Sequence, residues 1–357
     1  MGLHFIRPDT KIDFVGFRYV AYCVSAALIL LGLASLVIKG GPRYGIDFAG
    51  GIIVQVKFEQ KTDMTQVRQA LDDQNLPGLV IQQIGAPDDS EYLVRTSSSE
   101  VSSEDVRTSI SETLAQKLPQ AKGDIRRIEM VGPKVGADLR GKALEAMYYA
   151  ILLIAIYISG RFEQRWTAAG IMAGGLFLGI AALQFLGMST SWLIVAAMVI
   201  TLGLCLYLRL TYALGAVVAL IHDVLITVGV FSLLNKEFDL TVIAALLTII
   251  GYSLNDTIIV FDRIRETLRY GKGGSFGQII NDSVNQTLSR TILTSGLTMI
   301  VVVCLYLLGG SVIHDFALAL MVGIFVGTYS SIFVASPILL HFRRNPADEA
   351  VMTKAKA

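Results

Sequence analysis

Residues 253–266 read SLNDTIIVFDRIRE. This apolar run carries one carboxylate inside it, at Asp256, and ends in a charged group that begins at Asp262. A charged side chain at the middle of a bilayer costs about 2.5–3.5 kcal/mol on insertion scales, so it is tolerated where it faces a partner or a water-filled path. The stretch therefore predicts a membrane helix and makes Asp256 a candidate for proton or ion movement.

The composition of the whole chain also indicates a membrane protein. The chain has 357 residues, of which 53% are hydrophobic and 17% are charged, whereas soluble proteins average about 25% charged residues. The net charge is +1 and no basic block is present, so nothing indicates binding to nucleic acid. The three cysteines each lie in an apolar run, which favours buried small side chains over disulfides or metal ligands.

Eight apolar segments are long enough to cross a bilayer, because a membrane-spanning helix needs about 20 predominantly apolar residues. The uncharged run from Trp166 to Leu208 is too long for one helix, and we divide it at the polar sequence GMSTS, residues 187–191. An even number of spans places both termini on one side. The predicted spans are 19–38, 143–160, 166–186, 191–208, 212–234, 240–261, 291–309 and 316–340.

Positive charges collect on one side of these spans, and the positive-inside rule assigns that side to the cytoplasm. The short loops on the other side hold only Lys236. We therefore predict cytoplasmic termini, residues 1–18 and 342–357, and an extracytoplasmic segment 40–140. The cytoplasmic cations are Arg7, Lys11, Arg18, Arg161, Arg165, Arg209, Arg263, Arg265, Arg269, Lys272, Arg290, Arg343 and Arg344.

Residues 40–140 are predicted to form a compact domain. Apolar and polar residues alternate from Ile52 to Phe58, which is typical of a half-buried strand. Helical stripes follow at residues 64–71 and 106–118, and further strands are expected at 79–84, 92–96 and 125–131. The order βαββαβ predicts an α+β, ferredoxin-like sheet.

A second amphipathic segment, residues 262–290, is expected on the cytoplasmic side. Its apolar face follows a glycine-rich sequence at 271–274. Such a face either lies on the membrane surface or packs against the helix bundle. The residues of this face are Phe276, Ile279, Ile280, Val284 and Leu288.

Asp256 and Arg290 lie on consecutive antiparallel spans. Asp256 is roughly 6–9 Å deep at 1.5 Å per residue, and Arg290 begins the next span at a similar depth. A carboxylate that either pairs with an arginine or takes a proton is a two-state element; the alternative is a static ion pair that holds the bundle together. The neighbours Asn255 and Thr257 either hydrogen-bond the carboxylate or bond only to backbone.

His222 and Asp223 form a second intramembrane polar site, about 15–20 Å into its span. A histidine beside a carboxylate is suited to proton relay. Alternatively, Asp223 caps a neighbouring helix or pairs with a partner subunit. Adjacent helical residues point about 100° apart, so both side chains cannot face the same partner.

The sequence contains none of the common enzyme motifs that we considered. The sequence contains no HExxH zinc motif, no GxSxG nucleophile elbow and no Walker A motif. We therefore predict no catalytic residue, no cofactor and no metal site. The glycine-rich residues 45–51 follow a membrane helix and open a strand, which indicates a tight turn rather than a phosphate-binding loop.

Five sequence motifs together resemble a known family. They are GIDFAGG at 45–51, VGPKVG at 131–136, LIHDV at 220–224, the 253–266 stretch and LSRTILTS at 288–295. In this order, over nearly the whole chain, they resemble the SecF branch of the SecD/SecF protein-export family, within the RND superfamily of transporters.

The resemblance implies a multi-pass protein of the bacterial cytoplasmic (inner) membrane. It implies a first helix 19–38, a periplasmic domain 40–140, a second helix 143–160 and a conserved-type bundle 210–341. Implied partners are SecD, the SecYEG channel and preprotein substrates in the lipid bilayer, with YajC and YidC as further candidates. The implied work is gradient-driven export on protons or sodium ions, with Asp256 and Arg290 as the ion-coupling pair and Asp256 facing a carboxylate of SecD.

Residues 162–209 depart from the family pattern, which implies six spans. An inserted pair of helices preserves the orientation of every later motif, and we expect a lipid-facing appendage or a partner surface. Two other functions stay open: an RND-type exporter of small molecules or lipids, and a structural assembly subunit without ion coupling. The single outer domain argues against the exporter, which is expected to carry two.

Overall fold

The computed structural model describes residues 10–72, 79–84, 90–96, 103–163, 166–185, 187, 190–270 and 275–342. The first apolar helix, α1 (Arg18–Ile38), leads through the short α2 (Ile46–Ala49) into a sheet domain. Gly50 links α2 to the sheet with φ +78°, and a Cβ there would lie 2.8 Å from the Pro133 backbone. Glycine is therefore required at this turn, as the 45–51 motif predicts.

The sheet domain has the predicted βαββαβ order. Its elements are β1 (Gly51–Phe58), α3 (Met64–Asp72), β2 (Val80–Ile84), β3 (Glu91–Thr96), α4 (Ser103–Lys117) and β4 (Gly123–Val131). The spatial order is β2-β3-β1-β4, with every neighbouring pair antiparallel. This topology confirms the ferredoxin-like prediction.

One face of this sheet is covered and the other is open. Ile52, Val54 and Val56 on β1 are fully buried, in one cluster with Leu71 of α3 and Ile110 of α4. The side chains that alternate with them point to the opposite face, which neither α3 nor α4 covers. That open face looks toward one end of the helix bundle.

The bundle follows the sheet domain. It consists of α5 (Pro133–Glu163), α6 (Trp166–Phe185), α7 (Thr190–Tyr207), α8 (Thr211–Leu233), α9 (Leu240–Tyr270), α10 (Phe276–Leu308), α11 (Gly310–Ser330), a π-helical turn Ser331–Ala335 and α12 (Ser336–Phe342). Seven helices in the described ranges are long and apolar enough to cross a membrane. The predicted span 191–208 coincides with α7, whose apolar part Val195–Tyr207 is shorter than the others. The polytopic helical fold is therefore confirmed.

Helices α8 and α11 form the buried centre of the bundle, and α1, α5 and α9 pack around α8. Small residues allow the closest approaches. A Cβ on Gly327 of α11 would lie 2.9 Å from the Cβ of Ser253 on α9, and Gly32 and Gly229 bring α1 against α8. These contacts use the small-residue packing that membrane helices favour.

The amphipathic segment packs against the bundle rather than lying free. Ile280, Val284 and Leu288 are buried in the main apolar cluster. Residues 276–290 are the first half of the single helix α10, which begins at a capping box formed by Ser275 and Gln278. The glycine-rich residues 271–274 lie outside the described ranges.

The helices α6 and α7 pack on each other and against α5 and α8. Met172 and Cys205 of this pair are fully buried, but large apolar side chains on its outer surface are exposed. These include Phe177, Leu178, Trp192 and Val199. An exposed apolar surface on membrane helices is suited to contact with lipid.

Candidate ion-coupling site

Asp256 lies at a junction of three helices. Its side chain is on α9 and only 1% exposed. Its Oδ2 accepts a hydrogen bond of 3.1 Å from Ser295 Oγ on α10. Thr328 Oγ1 on α11 lies 2.8 Å from the same Ser295 oxygen. Among the described residues, the hydrogen bonding around this carboxylate therefore comes from small hydroxyl groups of the two neighbouring helices.

The second oxygen of Asp256 is buried without a hydrogen-bond partner in the described part of the chain. The hydroxyl of Thr291, about one turn before Ser295 on α10, is buried and unpartnered in the same way. A buried polar atom without a partner costs about 1–3 kcal/mol, and a charged group costs more. The second carboxylate oxygen of Asp256 can therefore still bind a proton or accept a hydrogen bond from another group.

Arg290 does not pair with Asp256. It is exposed, and within the described residues no salt bridge joins the two side chains. Ser295, rather than Arg290, hydrogen-bonds Asp256, and Arg290 is five positions earlier on α10, which is roughly 7.5 Å nearer the end of the bundle. A static ion pair between the two side chains is therefore not present in this structure, and the coupling role of Arg290 stays a prediction.

The neighbours of Asp256 point elsewhere. Asn255 is exposed, whereas Thr257 is buried. Neither forms a hydrogen bond with Asp256 among the contacts of the described chain, because successive helical positions differ by about 100°. Their predicted supporting role through direct contact is not seen in this geometry.

His222 and Asp223 form a second polar centre on α8. Asp223 Oδ1 lies 2.9 Å from His222 Nδ1, and Asp223 Oδ2 accepts hydrogen bonds from Ser253 at 2.5 Å and Ser330 at 2.8 Å. Both oxygens are thus occupied. Asp223 accepts from side chains rather than from backbone N–H groups of a helix end, so it does not cap a neighbouring helix.

Four residues of these sites were not found by the sequence analysis: Ser25 on α1 and Thr328, Tyr329 and Ser330 on α11. His222 Nε2 lies 2.9 Å from Ser25 Oγ, and Ser25 Oγ lies 3.2 Å from the Tyr329 hydroxyl. The sequence GTYSS at 327–331 interrupts an apolar span. That polar interruption is the same kind of signal that marks Asp256, and it identifies the α11 residues in retrospect.

A polar cavity of about 730 Å³ separates the open face of the sheet from the outer ends of the helices. Glu237, in the loop before α9, forms salt bridges with Arg95 of β3 and with Arg43, the latter at 3.3 Å. Burial lowers the pKa of the Arg95 guanidinium, and the nearby Arg43 charge adds to that effect. Lys236 pairs with Asp315 at 2.7 Å. The sheet domain is thus tied by charge to the loop that leads into α9.

In the described ranges, no group of three or more His, Cys, Asp or Glu side chains is placed so that it could hold a metal ion. The polar groups around Asp256 and Asp223 are hydroxyls, a histidine and carboxylates. Such groups can hold and transfer protons.

Comparison with protein families identifies the chain over most of its length. The model described as "Protein export membrane protein SecD/SecF, C-terminal" matches residues 110–189 and 181–345, and the "SecD/SecF GG Motif" model matches residues 35–62. The two pieces of the first match overlap at residues 181–189, which begin within the last turns of α6 and end just before Thr190, the first residue of α7. This overlap lies within residues 162–209, the predicted inserted pair.

Curated relatives share this identity. A protein translocase subunit SecF of Magnetococcus marinus is 43% identical over 334 residues, covering 93% of this chain and 92% of the relative. A SecF of Vibrio alginolyticus is 37% identical, covering 94% of this chain and 91% of the relative. The name of these relatives describes a transport role rather than an enzymatic one.

Solved structures agree with the sequence matches. The crystal structure of SecDF, a translocon-associated membrane protein from Thermus thermophilus, matches 97% of this chain with a TM-score of 0.69 and 32% identity. A SecDF structure in a super-membrane-facing form matches with a TM-score of 0.56 and 31% identity. This chain spans 40% of the length of each SecDF chain. The fold, the motifs and these matches together show that the chain is a multi-pass membrane protein of the SecD/SecF protein-export family, on its SecF side.

Proposed function

We propose that this chain works with SecD to drive preprotein translocation across the bacterial cytoplasmic membrane with the energy of the proton (or sodium) gradient. The observation that carries the proposal is Asp256, a carboxylate buried among membrane helices with one oxygen unpartnered in the described chain. A purely structural carboxylate is expected to have its hydrogen bonds satisfied. This one is not, although Asp223 in the same bundle is.

The ionised and protonated forms of Asp256 provide the two states that ion coupling needs. Ionised, the carboxylate attracts Arg290 and polar groups, because an unpaired charge in a low-dielectric interior is costly. Protonated, it loses that attraction and tolerates its apolar surroundings. Arg290 lies about one and a half turns before Ser295 on α10. It forms no salt bridge with Asp256, as expected for an uncharged carboxyl group. Proton uptake and release would then alternate two packings of α9 against α10.

The exposed side of α10 supports a second subunit beside this site. Large apolar side chains on α10 are exposed, among them Leu293, Leu297, Ile300 and Val301. This chain spans 40% of the Thermus SecDF chain, so the rest of that chain has the length for a second subunit. We place SecD against α10 and expect it to supply the carboxylate that faces Asp256.

The proposal includes the location and the wider assembly. The sheet domain and the α8–α9 loop lie at one end of the bundle, joined by backbone hydrogen bonds between Phe238 and residues 43–45. The arginine-rich segment around Arg161 and Asp262 lies at the other end. This separation supports an extracytoplasmic sheet domain, cytoplasmic termini and insertion in the inner membrane. The Thermus relative is described as translocon-associated, which supports contact with SecYEG; YajC and YidC are further candidates.

Movement at Asp256 has a direct route to the outer domain. Asp256 lies on α9, and the loop just before α9 contains Glu237, which pairs with Arg43 and Arg95. The Asp47 carboxylate also accepts a hydrogen bond of 3.0 Å from the Leu240 backbone N–H at the start of α9. A shift of α9 would therefore move the base of the sheet domain, which is where an exported chain would emerge.

The test is gradient-dependent export in cells or inverted vesicles that rely on Asp256→Asn. We expect the gradient-stimulated part of export to fall at least tenfold while the protein accumulates and co-purifies with SecD. The matched control is Asp262→Asn on the same helix, since Asp262 is partly exposed and its 3.4 Å pair with Arg161 is a surface contact worth little. Normal export by Asp256→Asn in an intact complex would instead assign the chain an assembly role without ion coupling.

A further inference from the structure

The polar centre on α8 belongs to a continuous chain of hydrogen bonds across the bundle. The Tyr329 hydroxyl donates to the Ala21 carbonyl oxygen at 2.8 Å, and Ser25 Oγ donates to the Tyr329 oxygen at 3.2 Å. His222 then connects Ser25 to Asp223, at 2.9 Å on each side. Four contacts thus run from the backbone of α1 to the carboxylate on α8.

The number of hydrogens available along this series of hydrogen bonds determines the protonation state of His222. Each contact requires one hydrogen, and each hydroxyl supplies only one. Tyr329 gives its hydrogen to Ala21, and Ser25 gives its hydrogen to Tyr329. Ser25 is therefore an acceptor toward His222, so Nε2 must carry a hydrogen, and the remaining contact needs another between Nδ1 and Asp223.

We propose that His222 and Asp223 form a second proton-binding site, in which the pair holds two protons as an imidazolium beside a carboxylate. Three donors around Asp223 fit an ionised carboxylate, which can accept all of them: His222, Ser253 and Ser330. The pair is then neutral overall, as two groups that are 5% and 1% exposed require. The proposed role of this site in coupling rests on the proposed function of Asp256; its protonation does not.

The groups that face the pair come from three helices. Ser25 faces it from α1, with Tyr22 about one turn earlier; Ser253 faces it from α9, with Asp256 about one turn later. From α11, Ser330 donates to Asp223, and the Tyr329 ring stacks on the imidazole with centroids 6.1 Å apart. Within the described residues of α5, α7, α12 and the π-helical turn, no side chain forms a hydrogen bond or salt bridge with either member of the pair.

Loss of a proton from the pair would change a contact between helices. With Nε2 unprotonated, Ser25 must turn its hydrogen toward His222 and can no longer donate to Tyr329. The Ser25–Tyr329 hydrogen bond between α1 and α11 is then lost, while the bond from Tyr329 to Ala21 remains. Because Thr328, Tyr329 and Ser330 are consecutive, this same segment of α11 also contacts Ser295 at the Asp256 site. The two proton sites are therefore connected through α11.

The direct test is nitrogen-15 NMR of histidine-labelled protein, purified with SecD in nanodiscs at pH 7. We expect both ring nitrogens of His222 at the position of protonated nitrogens, identified by the absence of these signals in His222→Gln. The measurement is repeated in Asp256→Asn, where the same two signals are expected whether or not Asp256 couples export. An unprotonated Nδ1 or Nε2 in either background would overturn the proposal.

Ser25→Ala provides a second measurement that keeps His222 in place, in case His222→Gln fails to fold. We expect the Nε2 signal to shift, because its hydrogen-bond acceptor is removed. The matched control is Ser35→Ala, which breaks a 2.8 Å hydrogen bond to Ser232 at the same α1–α8 interface without touching the pair. An unchanged signal in Ser25→Ala, or an equal shift in Ser35→Ala, would contradict the proposed chain.

Discussion

Two carboxylates in the same bundle are buried to the same extent but bonded very differently. Asp223 and Asp256 are each 1% exposed. Asp223 has partners on both oxygens, from His222, Ser253 and Ser330. Asp256 has one hydrogen bond, from Ser295, and its other oxygen is buried without a partner among the described residues.

This difference separates two uses of a buried charge. A carboxylate whose partners lie within its own chain contributes to one packing of the helices, and removing it leaves those partners unsatisfied. A carboxylate that lacks partners gains little from the present packing and is free to respond to a proton or a neighbouring subunit. Full hydrogen bonding thus predicts a stability role, and incomplete hydrogen bonding predicts a switching role.

The strongest test of this difference between Asp223 and Asp256 is to remove each carboxylate in turn. We expect Asp223→Ala to lower the free energy of unfolding in detergent by about 3–5 kcal/mol, because it leaves His222 charged or unpaired inside the bundle. Asp256→Ala should change it by less than about 1 kcal/mol, since only one hydrogen bond is lost. Purified proteins are compared by denaturant or thermal unfolding. Equal losses in both variants would mean that the hydrogen-bond count does not distinguish the two sites.

The next test acts on the contact between α9 and α11 beside Asp223. Gly327→Ala would place a Cβ 2.9 Å from the Cβ of Ser253, which donates to Asp223. Overpacking of this kind costs about 1–3 kcal/mol. Gly296→Ala on α10 is the matched control, because a Cβ there meets no atom within 4 Å. If both variants unfold at the same midpoint, close packing at Ser253 is not what holds the Asp223 site.

The sequence was sufficient for much of this architecture. Apolar length located the helices, and alternation in β1 with two helical stripes was enough for the ferredoxin-like order, because both patterns come from local periodicity. The positions of Asp256, His222 and Asp223 were found because a charge inside an apolar run is visible without a structure. These features depend on residues close together in the chain.

The partners of those side chains could not be found in the same way. Ser25 contacts His222 and Ser330 contacts Asp223, although most of the chain separates the two serines. Serine and threonine are also common in membrane helices, so neither residue is distinctive in the sequence. No salt bridge joins Arg290 and Asp256 in this structure, because depth estimated from span ends does not determine which residues of α9 and α10 meet. The crossing of α9 and α10 instead brings Ser295 into hydrogen-bond contact with Asp256, and only tertiary packing determines that register.

A smaller effect is expected from the one donor that Asp256 has. Ser295→Ala removes the 3.1 Å hydrogen bond and should lower the free energy of unfolding by about 0.5–1.5 kcal/mol. Ser330→Ala at Asp223 should cost more, about 1.5–3 kcal/mol, since its acceptor is held ionised by the imidazolium. The two variants are compared in the same unfolding assay. A larger loss for Ser295→Ala would reverse the assignment of stability to the Asp223 site.

The smallest effect concerns the N-terminal segment, whose hydrogen bonds reach α10, the helix that carries Ser295. Asn281 of α10 donates to Asp13 at 2.6 Å, and the Gly16 N–H donates to the same oxygen at 2.9 Å. These hydrogen bonds, the Asn281 contact first, hold the pKa of Asp13 below its usual range.

A lowered pKa in the folded state means that docking of this segment is stabilised above the ordinary carboxyl pKa, near 4, and is lost as pH falls through the folded value. Hydrogen exchange of residues 12–16 should therefore be constant from pH 5 to 8, after correction for intrinsic rates, and lose protection below about pH 4. Asp13→Asn should remove that pH dependence and leave the amides around Asp223 unchanged. Loss of protection at Asp223 as well would show that α10 and the α8 centre move as one unit, and the separation of the two sites would no longer hold.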